Sequence, residues 1–160
     1  MLIVTQLGKW VLPVYRVPRE PSTPRIVLRR KLRRLGAAQL LDGLVALPLD
    51  GRNREQLEWL AEDVTDAGGE ASIWIVEPST AAQERAVAGV MARAVAGEYR
   101  QIAEQARAAL SGDEAPRRRT LARLRRELRR VRARDYFPPP ERREAERAVE
   151  SLAATAEVHP

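Results

Sequence analysis

The sequence predicts an α+β fold, a β-α-β-β-α-β unit followed by an all-helical C-terminal annex. Three observations predict it. Up to Pro78, short runs of β-branched and aromatic residues alternate with apolar residues at helical spacing. An Asp-Gly dipeptide separates two apolar runs in the middle of that region, and no strand pattern appears beyond it. A chain of 160 residues holds one ordinary domain or a small domain with an annex. The boundaries are expected at 8–78 for the α+β domain and 79–157 for the annex, with an Arg-rich helix over 116–134.

Trp10 to Val17 (WVLPVYRV) reads as the first strand, and Pro13 places part of it at an edge or bulge, because proline has no N–H to give to a ladder. A helix follows. Ser22 and Thr23 are its candidate N-caps, Pro24 suits its first turn, Leu28, Leu32 and Leu35 form the apolar stripe, and Gly36 ends it. Gln39–Leu41 and Leu44–Leu47 then form a hairpin around Asp42-Gly43, a dipeptide suited to positive φ. Asp50 opens a second helix carrying Leu57, Leu60, Ala61 and Val64, Gly68-Gly69 stops it, and Ala71–Val76 is the last strand. This order matches the ferredoxin-like split βαβ arrangement, in which two helices cover one face of a four-stranded antiparallel sheet.

The annex is Ala-rich. Thr80–Leu110 is helical, with Val87, Met91, Ala94, Ile102, Ala106 and Leu110 as expected buried positions. After the break at Ser111-Gly112-Asp113, a helix starts near Ala115-Pro116 with a narrow seam of Leu121, Leu124, Leu128 and Val131, too short for an independent coiled coil. Asp135-Tyr136-Phe137 and three prolines end it, placing the two aromatics to plug an apolar gap. Glu141–Leu152 is a final amphipathic helix with Ala145, Ala148, Val149 and Leu152 inside.

Charge is unevenly placed. The total is +6, but Arg16–Arg34 carries +7, Leu35–Ala115 −8 and Pro116–Pro160 +6, and 26 of the 28 basic residues are arginine. Arg richness on its own also follows from a GC-rich genome; the blocks are what point to anionic partners. The chain has no cysteine and one histidine, His159, so disulfides, thiolate metal sites, thiol redox chemistry and most acid–base catalysis lack their groups. No phosphate loop, nucleophile elbow or metal-binding His/Glu helix is present, so no catalytic residue, metal or cofactor is expected. No apolar run approaches the ~20 residues of a spanning helix, and Met1–Lys9 lacks the basic head and apolar length of a signal peptide. A cytoplasmic chain is expected.

Two motifs carry candidate binding chemistry. In RVPREPST, Arg16, Arg19, Ser22 and Thr23 converge on the start of the first helix and make a candidate oxyanion site. The plainer reading is that Ser22 or Thr23 caps the helix and Arg19 pairs with Glu20. Phosphate contacts to DNA are expected from Arg25, Arg29, Arg30, Lys31, Arg33 and Arg34 in the first helix. In the Arg-rich helix they are expected from Arg117, Arg118, Arg119, Arg125, Arg126, Arg129 and Arg130, where a single acid, Glu127, among the ten arginines of 117–134 leaves little local pairing. The alternatives are a solvated helix that packs by its seam, and a membrane-surface helix, which would want aromatic anchors this one lacks.

The strings YRVPREPSTPR (Tyr15–Arg25), RKLRRLGA (Arg30–Ala37) and LDGLVALP (Leu41–Pro48) resemble the N-terminal region of the ChrB chromate-resistance regulators, as does the Asp135-Tyr136-Phe137-Pro138 stretch with its Glu-Ala-Glu-Arg-Ala continuation. The small α+β module is also similar to one in PaaX-type repressors. The resemblance implies a bacterial regulator of a chromate efflux operon that binds promoter DNA as a homodimer. It implies functional roles for Arg16, Arg19, Ser22, Arg25, Lys31 and Arg34, and a second, C-terminal domain that this chain is expected to lack. Chromate or sulfate is the expected oxyanion, and DNA the main partner. A non-enzymatic module docking an acidic partner protein is the alternative. A metal-dependent nuclease built on Asp42, Asp50, Glu55 and Asp63 is a third, though Asp42 is already explained by its turn and Asp50 by its cap.

Overall fold

A computed structural model describes residues 8–157; His159 and most of the Met1–Lys9 stretch weighed as a signal peptide lie outside the described residues. The element order is β1 (Trp10–Arg16), α1 (Thr23–Leu35), β2 (Ala38–Leu41), β3 (Leu44–Pro48), α2 (Gly51–Asp66), β4 (Glu70–Val76), α3 (Ala81–Ala109), α4 (Glu114–Arg132) and α5 (Glu141–Glu157). The protein is mixed α+β, with one four-stranded antiparallel sheet in the order β2-β3-β1-β4. Two compact units divide between Val90 and Met91, inside α3.

In the first unit β1 pairs with β4 along its whole length, from Trp10 opposite Val76 to Arg16 opposite Glu70. Its pairing with β3 stops after two residues, Trp10 with Pro48 and Val11 with Leu47. Pro13 lies just beyond that point, so the donor it lacks is not wanted by β3. Helix α2 packs on β1 and β4, and α1 packs on α2. Their buried apolar residues, Leu28 and Leu32 from α1 and Leu57, Leu60 and Val64 from α2, belong to the sequence stripes, whose other members, Leu35 and Ala61, are half-buried. The Asp50 carboxylate accepts the Asn53 N–H at 2.6 Å and so caps α2, while the buried Asn53 amide donates to the Pro48 carbonyl at 2.9 Å.

The turns follow their glycines. Gly36 ends α1 at φ 75°, with its N–H on the Arg33 carbonyl and that of Ala37 on Leu32, the usual left-handed helix stop. In the hairpin only Gly43 has positive φ, 81°; Asp42 does not, so the turn is not the double positive-φ type the dipeptide suggests. A register shift between Gln39 and Leu41 leaves Leu40 as an extra residue, and such a bulge supplies the strand twist the turn does not. Gly69 is fixed by contact: a β-carbon there would lie 2.3 Å from the Arg16 carbonyl oxygen and 2.8 Å from Val64 Cγ1.

The second unit is a helical core of Val95, Tyr99, Ile102, Ala103 and Ala106 with Leu121, Leu124 and Val131 and with Ala145, Val149 and Leu152. Seven buried alanines (Ala96, Ala103, Ala106, Ala145, Ala148, Ala153 and Ala156) let the helices approach closely, since side-chain size sets interaxial distance. The seam of α4 is as its spacing predicts, with Leu128 half-buried. On α3 the buried stripe runs through Met91, Val95, Tyr99, Ile102 and Ala106, which leaves Ala94 exposed rather than buried as expected. Tyr136 and Phe137 are half-buried, and of the three prolines after them Pro139 is buried.

Candidate anion-binding surfaces

Helix α1 turns Leu28 and Leu32 inward and therefore carries its basic residues outward. Arg29, Arg30, Arg33 and Arg34 are exposed and meet no acidic side chain among the described residues, with Ile26 and Val27 exposed beside them. Lys31 is different, since its ammonium pairs with the Asp63 carboxylate of α2. Arg25 turns back toward the preceding loop, where its guanidinium reaches the Pro18 carbonyl at 3.5 Å.

That loop, the end of β1 and the start of β4 enclose an open pocket of 450 Å³ lined by Arg16, Val17, Pro18, Arg19, Arg25, Gly68, Gly69 and Glu70. The β1–β4 register sets Arg16 opposite Glu70, and their side chains form an exposed ion pair at 2.9 Å. Arg19 meets no acid among the described residues, Glu20 included. Three of the arginines singled out in the sequence thus come together. Ser22 and Thr23 are not among the residues lining this pocket. Ser22 occupies the N-cap position with already helical angles, φ −75° and ψ −15°, and its hydroxyl caps nothing, because a capping side chain reaches the first N–H groups from extended backbone. Thr23 lines a separate, apolar groove with Val27, Leu28, Lys31 and Asp63.

Helix α4 is less uniformly available than one acid among ten arginines suggests. Arg118 pairs with Glu114 and Arg123 with Glu127, each at 2.8 Å and one turn apart. Arg132 reaches Glu146 of α5 at 3.7 Å, and Arg134, just past the helix, grips Glu98 of α3 through two contacts of 2.8 and 2.6 Å. Arg117 is spent on the Gly112 carbonyl, and Arg125 is exposed. Arg119, Arg126, Arg129 and Arg130 remain exposed and without an acidic partner among the described residues. By helical rotation Arg119, Arg126 and Arg130 fall on one stripe opposite the Leu121–Leu128 seam.

One buried polar group had no sequence signal. Tyr99 is fully buried and donates to Asp135, whose side chain is itself unexposed and lies 3.4 Å from Arg142. Burial, reinforced by the bond to Asp135, pushes the Tyr99 phenol above its ordinary range. The hydrogen bond to Glu146 at 3.1 Å raises Arg142 in turn, so the guanidinium facing Asp135 stays charged.

The four carboxylates weighed for a metal serve other ends or stand apart. Asp50 caps α2, Asp63 pairs with Lys31, Asp42 sits in the hairpin turn and Glu55 is exposed. Among the described residues no three His, Cys, Asp or Glu side chains gather as they would around a metal ion. None of the described helices is long and apolar enough to cross a membrane.

The α+β unit thus carries one basic helix face on α1, and the helical unit carries a second arginine stripe on α4. A family model, "Protein ChrB, N-terminal", matches residues 25–159. The chain belongs to this family, which is associated with the regulation of chromate resistance. The matched span begins at Arg25, so the Tyr15–Pro24 part of the resembling string precedes it. Comparison with curated proteins finds no match, and neither does comparison with solved structures.

Proposed function

We propose that this chain is a DNA-binding regulator of chromate resistance, acting in the cytoplasm as a homodimer and holding DNA by its phosphates rather than catalysing a reaction. Family membership supports the regulatory role. The observation that carries the DNA reading is the α4 stripe: Arg119, Arg126 and Arg130 share an exposed face and have no carboxylate among the described residues to neutralise them. The same property in Arg29, Arg30, Arg33 and Arg34 of α1 gives each unit one basic surface. Guanidinium groups at surfaces of this kind bind phosphate oxygens without reading bases. The strand order β2-β3-β1-β4, with α1 and α2 in the two crossovers, supports assigning the sheet to the ferredoxin-like arrangement.

A gel shift with duplex DNA tests the proposal. Binding is expected at low salt and is expected to weaken steeply as salt rises. A chain that shifts no duplex at low ionic strength is not a DNA-binding protein of this type.

A further inference from the structure

The four-stranded sheet has two edges, and only one of them is guarded. β2 is four residues long and carries the Leu40 bulge; shortness and a bulge are two devices that keep an edge strand from recruiting another chain. β4, at the other edge, has neither. It runs seven residues, Glu70–Val76, with no proline, glycine or lysine, and its register against β1 is unbroken from end to end. Among the described residues β1 is the one strand that pairs with it, so the outer row of β4 N–H and C=O groups meets no partner strand.

The side chains point the same way. Successive residues of a strand face opposite sides of the sheet, yet Trp74 is 57% exposed and Ile75 48%. Exposure on both faces at once is exposure of the edge itself. Glu70 is the strand's one charged residue; it stands at the first position and already pairs inward with Arg16 of β1. The rest of the edge is uncharged, with Ile73, Trp74 and Ile75 in succession.

We propose that β4 pairs antiparallel with β4 of a second copy of this chain, joining two four-stranded sheets into one of eight strands. The inference rests on the homodimer reading and gives it an interface. A two-fold axis perpendicular to the sheet at Ile73, the middle of the strand, is the arrangement that pairs all seven residues. It sets Ile73 opposite the partner's Ile73, Trp74 opposite the partner's Ser72 and Glu70 opposite the partner's Val76, so no like charges face each other. The two Trp74 side chains then share a face and lie diagonally across the axis, at the ~7–8 Å that aromatic side chains can bridge.

The same axis decides in favour of a second copy over an unrelated strand. It keeps the faces of the two sheets matched, and since α2 packs on β1 and β4 and α1 packs on α2, the helices of both copies stand on one side of the joined sheet. Arg29, Arg30, Arg33 and Arg34 of each α1 are thereby presented on the same side, where one duplex can meet both sets. The covered area is at the lower end of specific interfaces, on the order of 1,000 Å², which fits a dimer that exchanges with monomer rather than an obligate one.

Sedimentation equilibrium of the full chain over a wide concentration range, without DNA, is the test. A monomer–dimer equilibrium is expected. Trp74→Lys sets two like charges across the axis and is expected to raise the dissociation constant about tenfold or more, as like charges brought together in an interface do. Trp74→Glu is expected to do the same, and an equimolar mixture of the two variants to recover the dimer, because position 74 meets its own copy only across a two-fold axis. Leu41→Lys, exposed on the guarded edge strand β2, leaves association unchanged. Both positions are exposed, and circular dichroism establishes that each variant is folded. A chain that stays monomeric throughout overturns the proposal together with the homodimer reading. A dimer that Trp74→Lys leaves as tight as the parent, or a mixture of the Lys and Glu variants that does not re-form it, overturns the β4 interface alone. So does dissociation by Leu41→Lys in its place.

Discussion

Tyr99 donates its phenol to the Asp135 carboxylate at 2.8 Å across 36 residues of sequence, fastening the middle of α3 to the segment that follows α4. The acceptor is the first residue of the Asp-Tyr-Phe-Pro stretch. Its carboxylate is buried with one oxygen, Oδ1, meeting no hydrogen-bond donor among the described residues, so it relies on Tyr99 and Arg142 to hold its charge out of water. Buried acceptors with so few donors are sensitive to losing any one.

Tyr99→Phe is therefore expected to destabilise the chain by about 1–3 kcal/mol, although it keeps the ring and its packing. Urea unfolding monitored by circular dichroism measures this. A loss below about 0.5 kcal/mol would mean that Asp135 finds another donor.

Alkaline pH probes the same bond. The folded state raises the Tyr99 phenol above its ordinary range, near 10, so beyond about pH 10 the unfolded chain releases this proton while the folded chain keeps it. The unfolded state then binds fewer protons, and stability falls as pH rises. Below about pH 10 the contribution is complete. Unfolding free energies from urea titrations between pH 9 and 11 are expected to fall more steeply for the parent than for Tyr99→Phe, by up to about 1.4 kcal/mol per pH unit.

The salt dependence of DNA binding counts phosphates. If Arg119, Arg126, Arg129 and Arg130 each neutralise one, replacing all four by Gln lowers the slope of log K against log salt by up to about 3.6, at roughly 0.9 per contact. Fluorescence anisotropy on a labelled duplex measures it. An unchanged slope removes α4 from the interface, and the same experiment with Arg29, Arg30, Arg33 and Arg34 tests α1 independently.

Gly69→Ala places a methyl group against backbone, the Arg16 carbonyl oxygen, which cannot swing aside as a flexible side chain would. The substitution is expected to destabilise the first unit by about 1–3 kcal/mol, the usual cost of overpacking, and to disturb the Arg16–Glu70 alignment. Gly43→Ala, where no atom lies within 4 Å but φ is positive, tests conformational strain alone.

Much of the fold was legible because its punctuation is local. Gly36, Asp50 and Gly68-Gly69 mark element ends by their own backbone or capping chemistry, and the leucine stripes of α1, α2 and α4 mark the buried faces. Alanine marks neither face, being small enough to sit on either, and so Ala94 was misplaced while the buried Tyr99 went unnoticed. The ion pairs divide in the same way. Glu114–Arg118 and Glu127–Arg123 could be read at a spacing of four, whereas Glu98–Arg134 and Glu146–Arg132 exist only once the helices pack. The pocket lined by Arg16, Arg19, Arg25 and Glu70 shows the limit most clearly. Arg16 and Arg19 stood out in the sequence, but Glu70 enters through the β1–β4 register and Arg25 by turning away from the helix face where its neighbours sit.

The early parting of β1 from β3 gives the sheet two clocks. The β2–β3 hairpin pairs with β1 only at its base, through Leu47 and Pro48, with the Leu49 N–H on the Lys9 carbonyl just beyond, so opening its tip breaks the pairings within the hairpin, whereas freeing β1 from β4 undoes seven aligned residues together with the α2 packing. Amides from Gln39 to Leu44 are expected to take up deuterium in a local, low-energy opening. Those between β1 and β4 wait for the whole unit to unfold.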